Sequence, residues 1–237
     1  GTRMKSALNK VMHPVSNKPM IGHIVCSLRK AGVDNIVVVV GHGAESVREY
    51  LGDSVRYAVQ EPQLGTGHAV MQAQCLADLD GDTLILNGDG PCIQSETIDR
   101  VFAANADSEM TVLTAVLPDG ERYGRIIRNA EGYVERIVEA KDCTPQELAV
   151  TEINTGIFCF KNRLLFAHLK EIRNDNAQQE YYLTDLVAIF NQCGLRVNAL
   201  VADDPQETMG VNDRIDLAKA QKWMTRHECE RHMRNGV

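Results

Sequence analysis

Several polar residues stand where the chain breaks its apolar runs, and they could serve chemistry on phosphates. Asp89 lies in Asn87-Gly88-Asp89-Gly90-Pro91, directly after the apolar run Leu84-Ile85-Leu86. A continuous apolar run closed by Gly and Pro suits a strand buried on both faces of a parallel sheet. A carboxylate at the carboxyl end of such a strand is where open α/β sheets bind their ligands. It could hold Mg²⁺, a hard ion that takes carboxylate oxygens and substrate phosphates, or serve as an ordinary turn residue. Asn212, in Gly210-Val211-Asn212-Asp213, could cap the last helix or add an amide oxygen to the same metal. Arg3 and Lys10, near Gly1 in a polar opening loop, could be solvated charges or a phosphate cradle.

Two further stretches carry groups suited to a flat base and a sugar. In Gln60-Glu61-Pro62-Gln63-Leu64-Gly65-Thr66-Gly67-His68, Gln60 can donate to and accept from a pyrimidine edge, and Gly65 would let the backbone approach a ring. The same loop could be a plain strand-to-helix turn whose glycines supply backbone freedom. His68 reads as a packing residue at the start of a helix, not as a base. Gly124, Glu139 and Asn154 each sit beside a glycine or a strand end. They read as strand polarity or as a sugar site, with Glu139 and Asn154 on hydroxyls and Gly124 admitting the ring. Glu180 to Asp185 could cap a helix or touch that sugar lobe.

The elements that must position these groups alternate over the first hundred residues. Helical spacing runs from Pro19 to Gly32, and Ile36 to Val40 reads as a strand. A helix at 44–51, a strand at Val55–Val59, a helix at about 67–78, the strand before Asp89 and a helix near 95–105 follow. These are βαβ units on a parallel sheet. After residue 108 the pattern turns antiparallel: strands at Met110–Leu117, Arg125–Ile127, Tyr133–Val138 and 153–160, with a hairpin signal at Asn129-Ala130-Glu131-Gly132. Helices near 162–172 and 182–193, a strand at 196–202 and a helix from Asn212 to about Met233 complete the chain. The reading is one domain, with residues 1–108 and 195–220 as a nucleotide-binding part, 109–194 as an inserted sugar-binding lobe and 212–233 as a C-terminal helix.

The 237 residues are enough to bury a full core, and 44% apolar with 24% charged content is that of a globular chain. A net charge of −7 without a basic run argues against nucleic-acid binding. No stretch has the length of a membrane span. Seven cysteines without a C-x-x-C pair read as free thiols in a cytoplasmic protein.

Taken together, the segments resemble the uridyltransferase domain of the bacterial bifunctional N-acetylglucosamine-1-phosphate uridyltransferase/glucosamine-1-phosphate acetyltransferase family. The resemblance rests on Gly1-Thr2-Arg3-Met4 with Lys10-Val11-Met12-His13, Gln63-Leu64-Gly65-Thr66-Gly67-His68-Ala69, Asn87-Gly88-Asp89, Tyr123-Gly124-Arg125-Ile126, Ile137-Val138-Glu139, Glu152-Ile153-Asn154-Thr155-Gly156 and Gly210-Val211-Asn212-Asp213-Arg214. It implies a Rossmann-like, GT-A-like three-layer α/β/α fold, with a mixed, mainly parallel sheet and an inserted antiparallel lobe. It also implies transfer of UMP from UTP to N-acetylglucosamine 1-phosphate, giving UDP-N-acetylglucosamine, a cell-envelope precursor. On that basis Arg3 and Lys10 contact the phosphates, and Gln60, Gly65 and Thr66 hold the uridine. Gly124, Glu139 and Asn154 hold N-acetylglucosamine, while Asp89 and Asn212 bind Mg²⁺.

Against the family pattern, the sequence starts at the last glycine of an L-A-A-G-x-G loop, so the sheet should lack its first central strand and show open edges. The hexapeptide-repeat acetyltransferase part is also not in the sequence, so this fragment should neither acetylate nor form the trimer built by that part. Two other readings stay open: a nucleotidyltransferase for another base or sugar, and a non-catalytic nucleotide-sugar sensor. A Rossmann dehydrogenase is disfavoured because no G-x-G-x-x-G follows a strand.

Overall fold

The computed structural model describes residues 4–120, 122–176 and 178–237. In chain order the elements are β1 (Pro14–Val15), β2 (Lys18–Pro19), α1 (Met20–Lys30), β3 (Val37–Val40), α2 (Ala44–Leu51), β4 (Arg56–Val59), α3 (Thr66–Met71), β5 (Asp82–Ile85) and α4 (Ser95–Ala104). Then come β6 (Met110–Val116), β7 (Arg125–Arg128), β8 (Val134–Val138), α5 (Pro145–Leu148), β9 (Glu152–Lys161), α6 (Asn162–His168), α7 (Asp185–Gln192), β10 (Val197–Val201) and α8 (Arg214–Arg234). No helix of the described residues is long and apolar enough to cross a membrane.

The organising strand is β9, whose residues alternate between two apolar clusters. Ile157 and Cys159 point into one with Ile21, Ile24, Ile98 and Val101, from α1 and α4. Phe158 and Phe160 point into the other with Leu165, Leu186 and Phe190, from α6 and α7. Successive side chains of a strand face opposite ways, so an apolar run of this kind requires a helix layer on each side. The three-layer α/β/α architecture follows.

The sheet itself differs from expectation in its pairing. Its order is β10–β6–β9–β7–β8, with β5 also on β9. Within it only β10 and β6 run parallel; β6–β9, β5–β9, β7–β8 and β7–β9 are antiparallel. The sheet is mixed, as expected, but mostly antiparallel. The reason is the ten-residue β9, which takes β6 along one edge and both β5 and β7 along the other. The strand before Asp89 was expected to be buried and parallel; β5 is half-buried and antiparallel. The Asn129–Gly132 hairpin forms as read, with Asn129 Oδ1 accepting from the amides of Glu131 and Tyr133 at 3.0 Å each.

Among the described residues β3 pairs only with β4, parallel, from Val37↔Arg56 to Val40↔Val59. β3 and β5 thus each keep an edge with no strand partner among the described residues. Both line a cavity of about 1380 Å³ walled by Ile21, Ile24 and Leu28 of α1 and by Ala69, Val70 and Ala73.

Two helices are shorter than their periodicity suggests. α3 stops at Met71 instead of running to residue 78. The Gln72 amide side chain donates to the His68 carbonyl at 2.9 Å, and the Gln72 backbone N–H turns to Ala69 at 3.1 Å. A short 3₁₀ turn at Gln74–Leu76 follows. The helix expected from 182 begins at Asp185, because Tyr181 to Leu183 is held against the loop before α3.

Candidate functional site

Lys10 starts a 3₁₀ turn capped by Asn9, whose Oδ1 accepts from Val11 N at 3.2 Å. The Asn9 amide also donates to the carbonyls of His42 and Gly43, at 3.2 Å each, so the turn is pinned to the loop after β3. Asp89 stands four residues beyond the end of β5, in the loop that leads to α4. Its carbonyl accepts from Val211 N at 2.9 Å. A Cβ on Gly210 would lie 3.4 Å from Asp89 Oδ1, so the Gly210–Asn212 segment packs onto the Asp89 carboxylate.

Asn212 was read as a possible cap for the last helix, but the cap is Asp213. Its side chain accepts from the amides of Ile215 and Asp216 at 2.8 and 2.9 Å. This leaves the Asn212 amide oxygen to turn inward, while the Asn212 N–H is held by Asp216 Oδ2 at 3.0 Å. Asp213→Ala is expected to cost about 1 kcal/mol, a fall in Tm of roughly 2–4 °C for a chain of this size. A thermal melt monitored by circular dichroism checks it.

The outcome is convergence. The Lys10 ammonium lies 2.5 Å from Asp89 Oδ2 and 3.0 Å from Asn212 Oδ1, across sequence separations of 79 and 202 residues. Lys10 and Asp89 side chains are 23% and 24% exposed, so the pair is partly buried. Its neighbours Asn9, Val11 and Gly88 line the large cavity, and Lys10, Asp89 and Asn212 themselves are not among its lining residues. One carboxylate oxygen and one amide oxygen, already drawn around a positive group, form a donor set that fits a hard divalent cation. Arg3, expected beside Lys10, lies outside the described residues.

The loop from Gln60 to His68 is built around its own contacts. Gln60 is buried, and its amide donates to the Gly65 carbonyl at 2.9 Å, with His68 Nδ1 at 3.1 Å. His68 lies between the Gln60 and Gln72 amides, as its packing role required. Gly65 has φ +106° and ψ 176°, a region open essentially to glycine alone. A Cβ there would sit 2.6 Å from the Tyr181 carbonyl oxygen and 2.9 Å from its nitrogen. Tyr181 N donates to Leu64 O at 2.7 Å, Gly67 N donates to Tyr181 O at 2.8 Å, and Thr66 Oγ1 accepts from Leu183 N at 3.0 Å. Gly65 thus admits a neighbouring chain segment, where the sequence suggested a flat ring.

The third group is brought together by β7, β8 and β9. Asn154 N donates to Gly124 O at 2.8 Å. A Cβ on Gly124 would lie 3.2 Å from Ile137 Cγ2 and 3.4 Å from the Val138 carbonyl oxygen, with Glu139 Oε1 at 3.6 Å, so the entry to β7 runs close against the end of β8. Glu139 and Asn154 line the same cavity as Tyr182, Thr184 and Lys141. Glu139 is exposed as a residue, yet its carboxyl is crowded enough that desolvation raises its pKa, with the charges of Asp142 and Asp185 adding to the rise. Desolvation also raises Asp185.

A raised folded-state pKa means that the ionised form costs native stability above the unfolded carboxyl pKa of about 4.3. Glu139→Gln should therefore melt higher than the parent chain at neutral pH, with the gap closing by about pH 3. Paired melts at the two pH values test the sign.

Asp185, Tyr182 and Lys141 were not singled out individually as chemical groups by the sequence reading. Tyr182 and Asp185 were legible only as part of a capping stretch, and Lys141 carried no signal. Arg122 is another addition to the cavity wall: its guanidinium pairs with Asp216 at 2.8 Å, which ties the loop before β7 to the start of α8 beside Asn212.

The chain matches the nucleotidyl transferase family model over residues 2–206. It is 52% identical over 240 residues to the bifunctional protein GlmU of Brevibacillus brevis, and 51% identical to that of Limosilactobacillus reuteri. These matches cover 100% of this chain but 52% and 53% of those proteins, so the chain spans about half the length of the curated relatives it matches. Among solved structures it superposes on a Bacillus anthracis protein assigned provisionally as a glucose-1-phosphate thymidylyltransferase. The TM-score is 0.71 at 21% identity, over 91% of this chain and 86% of that one. That likeness speaks for the fold alone. With the family model matching most of its length, the chain belongs to the nucleotidyl transferase family.

Proposed function

We propose that this chain transfers UMP from UTP to N-acetylglucosamine 1-phosphate, releasing pyrophosphate and forming UDP-N-acetylglucosamine. The observation that carries the reading is the meeting of Lys10, Asp89 and Asn212 at one point. The half-length match to proteins named bifunctional protein GlmU supports the choice of substrates.

In the proposed reaction a sugar phosphate oxygen attacks the α-phosphorus of UTP, the bond from that phosphorus to the β-phosphate oxygen breaks, and no covalent bond to the protein forms. Two anions must be brought in line, so alignment and charge neutralisation dominate the barrier. Lys10 supplies positive charge to the reacting phosphates, and Arg3 is assigned the same task from the sequence. Asp89 and Asn212 would hold Mg²⁺, which when bound neutralises phosphate charge. Gln60, Gly65 and Thr66 shape the nucleoside loop. Glu139 and Asn154, with Gly124 leaving room, take the sugar hydroxyls and acetamide. Losing the charged acceptor in Glu139→Gln should raise KM for the sugar phosphate roughly 10-fold, the worth of one charge-assisted hydrogen bond.

The test is pyrophosphate release with Mg²⁺ over a panel of UTP, dTTP, CTP and GTP, each with N-acetylglucosamine 1-phosphate or glucose 1-phosphate. Preference for UTP with N-acetylglucosamine 1-phosphate is expected. Turnover of another pair in preference to this one would assign a related nucleotidyltransferase. Nucleotide-sugar binding without turnover of any pair would make the chain a sensor.

A further inference from the structure

We propose that the Lys10 ammonium and the divalent cation are alternative occupants of one site, and that Lys10 must swing out of it before the metal can enter. The inference rests on the assignment of Asp89 and Asn212 as metal ligands. The lysine nitrogen sits 2.5 Å from Asp89 Oδ2 and 3.0 Å from Asn212 Oδ1, the two oxygens that the metal would need. Mg²⁺ or Mn²⁺ binds such oxygens at about 2.0–2.2 Å. An ammonium nitrogen held to the same pair would stand close to the ion, and two cations that close repel each other.

The backbone around the exchange is held by hydrogen bonds. Asn9 pins the Lys10 turn to His42 and Gly43, Val211 N–H holds the Asp89 carbonyl, and Asp216 Oδ2 accepts from the Asn212 backbone N–H. Movement is therefore left to the lysine side chain, a flexible four-carbon stem. Once displaced, Lys10 needs a new anionic partner, and a nucleoside triphosphate offers one. The chain without nucleotide is thus set to bind metal weakly, and metal and triphosphate bind cooperatively because the triphosphate draws Lys10 away.

The experiment is Mn²⁺ binding to the nucleotide-free protein, read from the electron paramagnetic resonance signal of free Mn²⁺. Lys10→Met should bind Mn²⁺ about tenfold or more tightly than the parent, because a charge adjacent to the site is gone. Lys10→Arg keeps the charge and should show no tightening. A non-hydrolysable UTP analogue should strengthen Mn²⁺ binding in the parent more than in Lys10→Met. Unchanged or weaker Mn²⁺ binding by a Lys10→Met protein that melts cooperatively would overturn the exchange, and so would equal tightening by Lys10→Arg. Asp89→Asn separates the two levels of the argument. If it abolishes Mn²⁺ binding while Lys10→Met changes nothing, the metal assignment stands and the exchange fails. If Asp89→Asn leaves Mn²⁺ binding intact, both fall.

Discussion

Asp89→Ala is expected to lower Mg²⁺-dependent pyrophosphate release by three orders of magnitude or more, with the fold retained. Asp89 is itself an anion and acts through the cation it would hold. Losing that cation's several kcal/mol of transition-state charge stabilisation reaches three orders of magnitude at about 4 kcal/mol. The same substitution touches little that holds the protein together. The Asp89 carbonyl keeps its bond from Val211 N, because that bond uses the backbone. The side chain contributes the partly buried Lys10 pair, and its loss leaves the Lys10 ammonium to Asn212 Oδ1 and solvent at a cost of about 1–3 kcal/mol, which a folded domain survives. Initial rates together with thermal melts separate the two effects. Near-normal turnover in the variant would remove Asp89 from the site.

The second large effect is expected at Gly65, on stability. Gly65→Ala puts a Cβ 2.6 Å from one backbone atom of Tyr181 and 2.9 Å from another, and neither can rotate away as a side-chain tip would. The glycine-only φ and ψ add about 1–3 kcal/mol of strain. If the loop shifts to relieve the clash, it loses the Tyr181 N to Leu64 O and Gly67 N to Tyr181 O bonds, at about 1 kcal/mol each. A loss of about 3 kcal/mol or more follows, with the Gln60 amide losing its anchor on the Gly65 carbonyl. Urea unfolding checks the magnitude. A midpoint within experimental error of the parent would show that the 64–67 and 181–183 segments do not pack as described.

Much of this molecule is legible in its residues, and the reason is local. The apolar period of α1, the Val37–Val40 strand and the Asn129–Gly132 hairpin depend on neighbours within a few positions, where propensity and turn chemistry act. Asp89, Glu139 and Asn154 are legible as polar side chains beside strand ends or glycines, while Lys10 and Asn212 are picked out by the motifs of the family resemblance.

Which of these groups meet is another matter. Whether Asn212 or Asp213 caps α8 depends on where the helix is pulled by its packing, and that choice alone frees the Asn212 oxygen for Lys10. Gly65 reads as room for a flat ring or as backbone freedom in a plain turn, and only the segment at 180–183, from more than a hundred residues away, shows what occupies the space. The apolar run of β5 signals burial but not its partner, so its antiparallel seat on β9 could be decided only by the whole sheet. Residue types and short spacings determine elements and candidate chemistry. Long-range packing, whose energy is shared among many distant contacts, decides which of those candidates share a site.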